Sequence, residues 1–339
     1  MTARLGAAFT EQAQSCAALG SPFMEQLCTV LAERLSPDNP IGHRLFDWPG
    51  DLGPGAESVP LRLCGALHAL RMMDRGGLDR VYPPHKVDDD TLWAGIAHAL
   101  DSETEFIDRF IDTPPQTNEV RRSAALIAAG HIVQDRFGLP LRLSELGASA
   151  GLNLHWDRFA LRIHDTVLGP ADSPIILSPD WDGPLPPKAR PEVIERRGVD
   201  LNPLDPVRDG LRLRAYLWPD QPDRLRWTEA AIAMSDHVVD RADGVDWLEN
   251  RLPHQAGTCH MIYSTVAWQY FPAAARARGT ALIETAGRSA TDRSPLAWFT
   301  MENDGTSPGA VMTLRLWPGD VTLDLGRIDF HGRWVRFNG

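Results

Sequence analysis

Two hydrophobic periods divide the chain. Over residues 1 to about 112, apolar positions recur every three or four residues. In "FMEQLCTVLAERL", Phe23, Leu27, Val30, Leu31 and Leu35 fall on one helical face, and in "VPLRLCGALHALRMM" Leu61, Cys64, Leu67, Leu70 and Met73 do the same. "TLWAGIAHALDSETEFIDRFI" is a third such stretch, and the Gly- and Pro-bearing "DWPGDLGPGAES" separates the first two as a loop. His68 lies close to the apolar face of its helix with no second ligand four residues on, so it reads as a packed histidine rather than a metal ligand.

The pattern changes after "DTPPQTNEVRRSAALIAAGHIVQDRFG", where two prolines break the chain, Thr117 or Asn118 caps a helix, and Gly138 and Pro140 stop it. From there strands alternate with helices. Strands are expected at about 141–146, in "EVIERRGVD" ending at Asp200, and in "HVVDRAD", "TCHMIYST" and "LAWFTME". Helices are expected at about 151–162 and in "PDRLRWTEAAIAMSD", "VDWLENRL" and "AAARARGTALIETAGRSA". A Pro-rich stretch within about 165–191 reads as an inserted loop or hairpin. The end, "AVMTLRLWPGDVTLDLGRIDFHGRWVRF", alternates apolar and polar positions around Pro-Gly and His-Gly turns, an antiparallel finish. The expected class is α/β: a mostly parallel sheet with antiparallel C-terminal strands over 113–339, preceded by a helical N-terminal domain over 1–112.

Composition narrows the function classes. With 339 residues, 43% hydrophobic and 23% charged, the chain can bury a sizeable core. Lys and Arg total 34 against 45 for Asp and Glu, a net charge of -11, which disfavours a nucleic-acid partner. Cys16, Cys28, Cys64 and Cys259 form no C-x-x-C pair and no disulfide framework, as expected in a reduced compartment. "MTARLGAAFTEQAQS" carries charges where a signal peptide needs an apolar core, and no apolar run reaches the ~18 residues of a membrane span. The expectation is a cytoplasmic protein with no membrane partner and a small-molecule substrate; the oligomeric state stays open.

The chemistry concentrates in "LRLSELGASAGLNLHWDRF". Glu145 ends a strand, and Gly147, Ala148, Ser149, Ala150 and Gly151 form a small-residue loop before the next element. In α/β sheets, ligands bind outside the carboxyl ends of strands. Neither a G-x-G-x-x-G fingerprint nor a Gly-Lys-Ser/Thr phosphate loop is present. Asp200 closes the second strand, where a carboxylate can accept from two ribose hydroxyls; Asp243-Gly244 follows the third. Asn153 and Asp157 lie four apart on the expected helix. Thr117, Asn118 and Glu119 open the preceding helix as caps or as part of a ligand site, Trp268, Gln269 and Tyr270 follow the fourth strand as core or pocket lining, and His331 sits in a turn.

Glu145-x-Gly147-x-Ser149-x-Gly151 resembles the first motif of class I S-adenosylmethionine-dependent methyltransferases, with Ser149 in place of the middle glycine. "RRGVDLNPLD", Asp243-Gly244 and "CHMIYSTVAWQYF" are similar to the second, third and fourth motifs, over about 113–300. The resemblance implies a Rossmann-like methyltransferase sheet and S-adenosylmethionine as cofactor. Glu145, Gly147, Ala148, Ser149, Gly151, Asn153, Asp200, Asp243, Gly244 and Ser264 would lie on the cofactor. Thr117, Asn118, Glu119, Trp268, Gln269 and Tyr270 would lie on the acceptor side. No metal motif such as H-E-x-x-H occurs, and no catalytic acid or base is assigned. A second resemblance, carried by "LRLCGALHALRMM", "QTNEVRRSAAL", "SELGASAGLNLHWDRF", "GVDLNPLDP" and "FHGRWV", is to an uncharacterised bacterial family (domain of unknown function 2332) over nearly the full length. Two other functions fit the residues. One is a non-catalytic ligand sensor of the same fold. The other is a serine hydrolase, since Gly147 to Gly151 matches G-x-S-x-G with Ser149 as nucleophile and His260 and His331 downstream.

Overall fold

The computed structural model describes residues 2–54, 56–236 and 238–339. Its contacts divide into two compact units: Met1–Thr117 with Arg208–Arg226, and Asn118–Val207 with Trp227–Gly339.

The first unit is built of helices: α1 (Thr2–Ala18), α2 (Pro22–Arg34), α3 (Pro40–Phe46), α4 (Val59–Met72), α5 (Asp89–Ser102) and α6 (Thr104–Ile111), with α8 (Gly210–Ala215) from the returning segment. Helix starts follow the side chains that satisfy free amides: Ser21, Asn39 and Asp88 accept from Met24, Gly42 and Thr91. Helix α4 is the core element, with Val59, Leu63, Ala66, Leu67 and Leu70 fully buried. Its one buried cation, Arg62, donates to the carbonyls of Glu57, Ile111 and Asp112, closing the end of α6. Gly65 of α4 explains why 208–226 packs here: a Cβ at that position would lie 2.4 Å from the Tyr216 ring. His68 is packed as expected, with Nδ1 3.1 Å from the Ala215 carbonyl oxygen, and burial lowers its pKa to about 4.

In the second unit, α7 (Ser123–Phe137) is ended by Gly138 in the left-handed conformation and leads into the first strand, β1 (Leu141–Leu146). The further strands are β2 (Ala160–Ile163), β3 (Thr166–Leu168), β4 (Ile176–Leu177), β5 (Asp180–Asp182), β6 (Val193–Asp200), β7 (Val239–Arg241), β8 (Cys259–Thr265), β9 (Leu296–Glu302), β10 (Ala310–Trp317), β11 (Val321–Ile328) and β12 (Trp334–Phe337). Nine of them form one sheet in the order β5-β12-β11-β10-β9-β8-β1-β6-β7. From β7 to β9 neighbours run parallel, β9 to β12 form an antiparallel meander, and β5 runs parallel to β12. Every residue of β1 and β8 is buried, as suits strands covered on both faces. Helix α9 (Pro222–Met234) runs across the division between the units, and α10 (Gly244–Arg251) and α11 (Ala273–Arg288) precede β8 and β9. The class is thus α/β, with a large, mostly parallel sheet and helices.

One element differs from expectation. Residues 151–162 do not form an α-helix: a 3-10 segment, Leu152–Arg158, gives way to β2 at Ala160. The Asn118 side chain holds the Leu152 amide, His155 departs from helical geometry, and the Trp156 ring is pinned by tertiary packing against Gly130 of α7, where a Cβ would lie 2.1 Å away. Asn153 and Asp157 therefore do not act as a helical i,i+4 pair: Asn153 bonds Ser123 and Glu119, and Asp157 pairs with Arg196. The Pro-rich insertion is partly strand, with β2, β3 and β4 forming a small second sheet. Among the described residues no helix is long and apolar enough to cross a membrane, and no cluster of three metal-ligating side chains exists.

Candidate functional site

The carboxyl ends of β1 and β6 meet the loop at 147–151. Gly147, Ser149 and Gly151 all have positive φ, at 73°, 53° and 73°. Two glycines relieve that requirement and Ser149 bears it. The loop is packed on protein: Cβ atoms on Gly147 and Gly151 would lie 2.4 Å from Ala267 and 2.7 Å from Val239. Four of its amides are committed internally. Gly147 and Ala148 donate to the Val199 carbonyl at 2.9 and 3.0 Å, and Gly151 donates to Ala148 at 2.7 Å. Ser149 donates to Asp200 Oδ2 at 2.9 Å.

Asp200 thus ties two strand ends together, since its Oδ1 also accepts from the Asn202 amide at 2.8 Å. Each of its oxygens keeps a further lone pair. Glu145, 2% exposed, is the chemically unusual member. Its Oε2 is buried and has no hydrogen-bond partner. Burial, and then the charge of Asp200, push its pKa well above the carboxylate range, while Arg122 opposes them. Arg122 is held by the carbonyls of Thr265 and Phe330.

The other sequence-singled residues fall into three groups. Asn118 and Asn153 are buried and make a polar knot: Asn118 Oδ1 accepts the Leu152 amide at 2.8 Å, Asn153 Oδ1 accepts from the Ser123 hydroxyl at 2.7 Å, and Asn153 Nδ2 donates to the Glu119 carbonyl at 3.2 Å. Glu119, also buried, accepts the Arg121 amide, whereas Thr117 is exposed and closes the first unit's opening segment. Asp243 is the N-cap of α10, with Oδ1 accepting from Val245 and Asp246 at 2.9 and 3.1 Å, and Gly244 abuts the Phe271 ring. Ser264, Trp268 and Gln269 gather around Glu302, the last residue of β9. Its carboxylate accepts the Ser264 hydroxyl at 2.7 Å and the amides of Ala267, Trp268 and Gln269 at 3.0–3.3 Å. The Trp268 ring is core, packed on Gly279 and Phe271, while Tyr270 is 66% exposed.

Glu302 and Arg122 escaped the sequence reading. Glu302 obeys the same rule that singled out Glu145 and Asp200, an acid closing a parallel strand, and "LAWFTME" displayed it. The residues of the serine hydrolase pattern are not assembled: the Ser149 hydroxyl is buried without a hydrogen-bond partner, and His260 Nε2 lies 2.8 Å from the Ser144 hydroxyl within the sheet.

The model of a family described as uncharacterised proteins conserved in bacteria (DUF2332) matches residues 6–337. The chain belongs to this family. No curated protein and no solved structure matches it. Membership of the DUF2332 family brings no reaction with it.

Proposed function

We propose that the second unit binds S-adenosylmethionine along the carboxyl ends of β1, β6 and β8 and transfers its methyl group to a small molecule. One observation carries the reading: Glu145, buried with an unpartnered carboxylate oxygen, sits within electrostatic reach of Asp200. A site with two interacting acids and an orphaned acceptor favours a cationic ligand that brings its own donors. S-Adenosylmethionine, with an ammonium and a sulfonium, fits that requirement. The loop fits it too: with the amides of Gly147, Ala148, Ser149 and Gly151 committed internally, it offers no cradle for a pyrophosphate, which argues against dinucleotides and nucleoside triphosphates.

The cofactor supplies an activated methyl group; the chain supplies recognition and alignment. Glu145 accepts from the ammonium, the spare lone pairs of Asp200 accept from the ribose hydroxyls, and Asp243 Oδ2, left over from capping, accepts from the adenine amine. Methyl transfer from a sulfonium gains chiefly from alignment, so a site without a poised acid–base pair suffices for an acceptor of low pKa.

Calorimetric titration with S-adenosylmethionine and S-adenosylhomocysteine, with NADH and ATP as controls, tests the reading. Binding of the first pair alone is expected, and Asp200→Ala should abolish it. Absence of binding to both overturns the proposal. A panel of small acceptors then separates turnover from binding alone.

A further inference from the structure

A concavity in the same unit lies at the other end of β6, about 23 Å along the strand from Asp200 by the rise of ~3.3 Å per residue. It has a volume of about 630 Å3 and includes none of the residues of the 147–151 loop among its lining. That size is within the roughly 300–1,000 Å3 of small-molecule sites. Its apolar lining is Ile127 of α7, Trp156 of the 3-10 segment, Phe159 just after that segment, and Val167 and Leu168 of the β2–β3 hairpin. The 188–191 stretch before β6 closes it with Lys188 and Arg190.

Charge and hydrogen bonding here are unbalanced in a consistent sense. Lys188 and Arg190 are exposed and make no ion pair among the described residues, in a chain of net charge -11. The one carboxylate of the lining, Asp157, is already neutralised by both terminal nitrogens of Arg196, at 3.2 and 3.1 Å. Two buried side chains of the lining carry hydrogen-bonding groups without a protein partner among the described residues. Trp156, 1% exposed, has a buried indole N–H without an acceptor. His131, 3% exposed, has Nδ1 3.0 Å from the Pro187 carbonyl oxygen. A carbonyl only accepts, so the proton is on Nδ1. Burial lowers the pKa of His131 and keeps Nε2 an unprotonated acceptor, with no protein partner among the described residues.

We propose that this cavity is a binding site for a small carboxylate with an apolar, hydroxyl-bearing body, its carboxylate held by Lys188 and Arg190 and its body laid against Val167 and Pro170. Nε2 of His131 gives an oriented acceptor for the hydroxyl of such a ligand. This site is independent of the cofactor reading.

The test is calorimetric titration of the full chain with 4-hydroxyphenylacetate, the neutral 4-hydroxyphenethyl alcohol, and cationic tyramine. Charge-assisted hydrogen bonds to two cations should make the carboxylate bind at least about tenfold tighter than the alcohol, with tyramine weakest. Lys188→Ala/Arg190→Ala, which alters only exposed side chains, should bring carboxylate and alcohol to within about twofold, the difference left once the charge-assisted bonds are gone. Asp200→Ala should leave the affinities unchanged. The chain has only two lysines, Lys86 and Lys188, both exposed, which gives a second readout: saturating carboxylate should slow acetylation of Lys188 and not of Lys86. No saturable binding, equal affinity for the three probes, or an undiminished preference in the double variant overturns the proposal.

Discussion

Glu145→Gln separates the electrostatic account of the candidate site from a merely structural one. In the native chain Glu145 is buried, one oxygen lacks a donor, and Asp200 adds a like charge, so its pKa lies well above the ordinary 4.5. Over the range between 4.5 and that raised value the native chain holds a proton that the unfolded chain has lost. Stability from this group is therefore complete below 4.5 and falls as pH rises toward the folded value. The slope is about 1.4 kcal/mol per pH unit for one proton, and it flattens beyond the folded value. Glutamine has nearly the same shape and does not titrate. Relative to wild type, Glu145→Gln should gain stability on going from pH 5 to pH 7, by up to about 1.4 kcal/mol for each unit still inside the window. The assay is urea denaturation of both proteins at the two pH values, read as the change in their difference, in which all other titrating groups cancel. The ligand adds a second expectation of opposite sign: with the carboxylate removed, affinity for S-adenosylmethionine should fall even as the free protein becomes more stable. A wild-type–variant difference that does not change between pH 5 and pH 7 would refute the reasoning, because it would mean that Glu145 is ionised and compensated in the native state.

Three other perturbations follow from the geometry. Gly130→Ala places a Cβ 2.1 Å from the Trp156 ring, and such overpacking should cost about 1–3 kcal/mol, seen as a lowered melting temperature; an unchanged one would mean that the 3-10 segment shifts freely. Glu302→Gln turns one acceptor oxygen into a donor facing backbone amides, so the 266–270 loop should exchange amide hydrogen faster, at a cost of about 1–3 kcal/mol; unaltered exchange would remove Glu302 as the clasp of that loop. Asp243→Ala should cost about 1 kcal/mol as a lost helix cap and also weaken S-adenosylmethionine binding; loss of stability with unchanged affinity would assign Asp243 to capping alone.

Sequence alone determined what depends on neighbours along the chain. The strand at 141–146 with the small-residue loop after it, and the strand in "EVIERRGVD" closed by Asp200, were legible as β1 and β6. Those features are set by backbone preference and hydrophobic period, which a few adjacent residues encode. The tertiary structure decided what depends on partners distant in sequence. Residues 208–226 join the helical unit because Gly65 admits the Tyr216 ring, some 150 positions away, and nothing local in either segment announces that fit. Residues 151–162 read as helical by period, yet Gly130 pins Trp156, Asn118 holds the Leu152 amide, and the chain turns into β2. Asp200 and Glu145 were legible as acids at strand ends. That one binds the loop amide while the other is left with an unpartnered oxygen follows only from the parallel register of β1 against β6 and from what is buried around them. Hydrogen-bond satisfaction and desolvation are properties of the assembled interior, and a sequence specifies them only through the fold that brings the partners together.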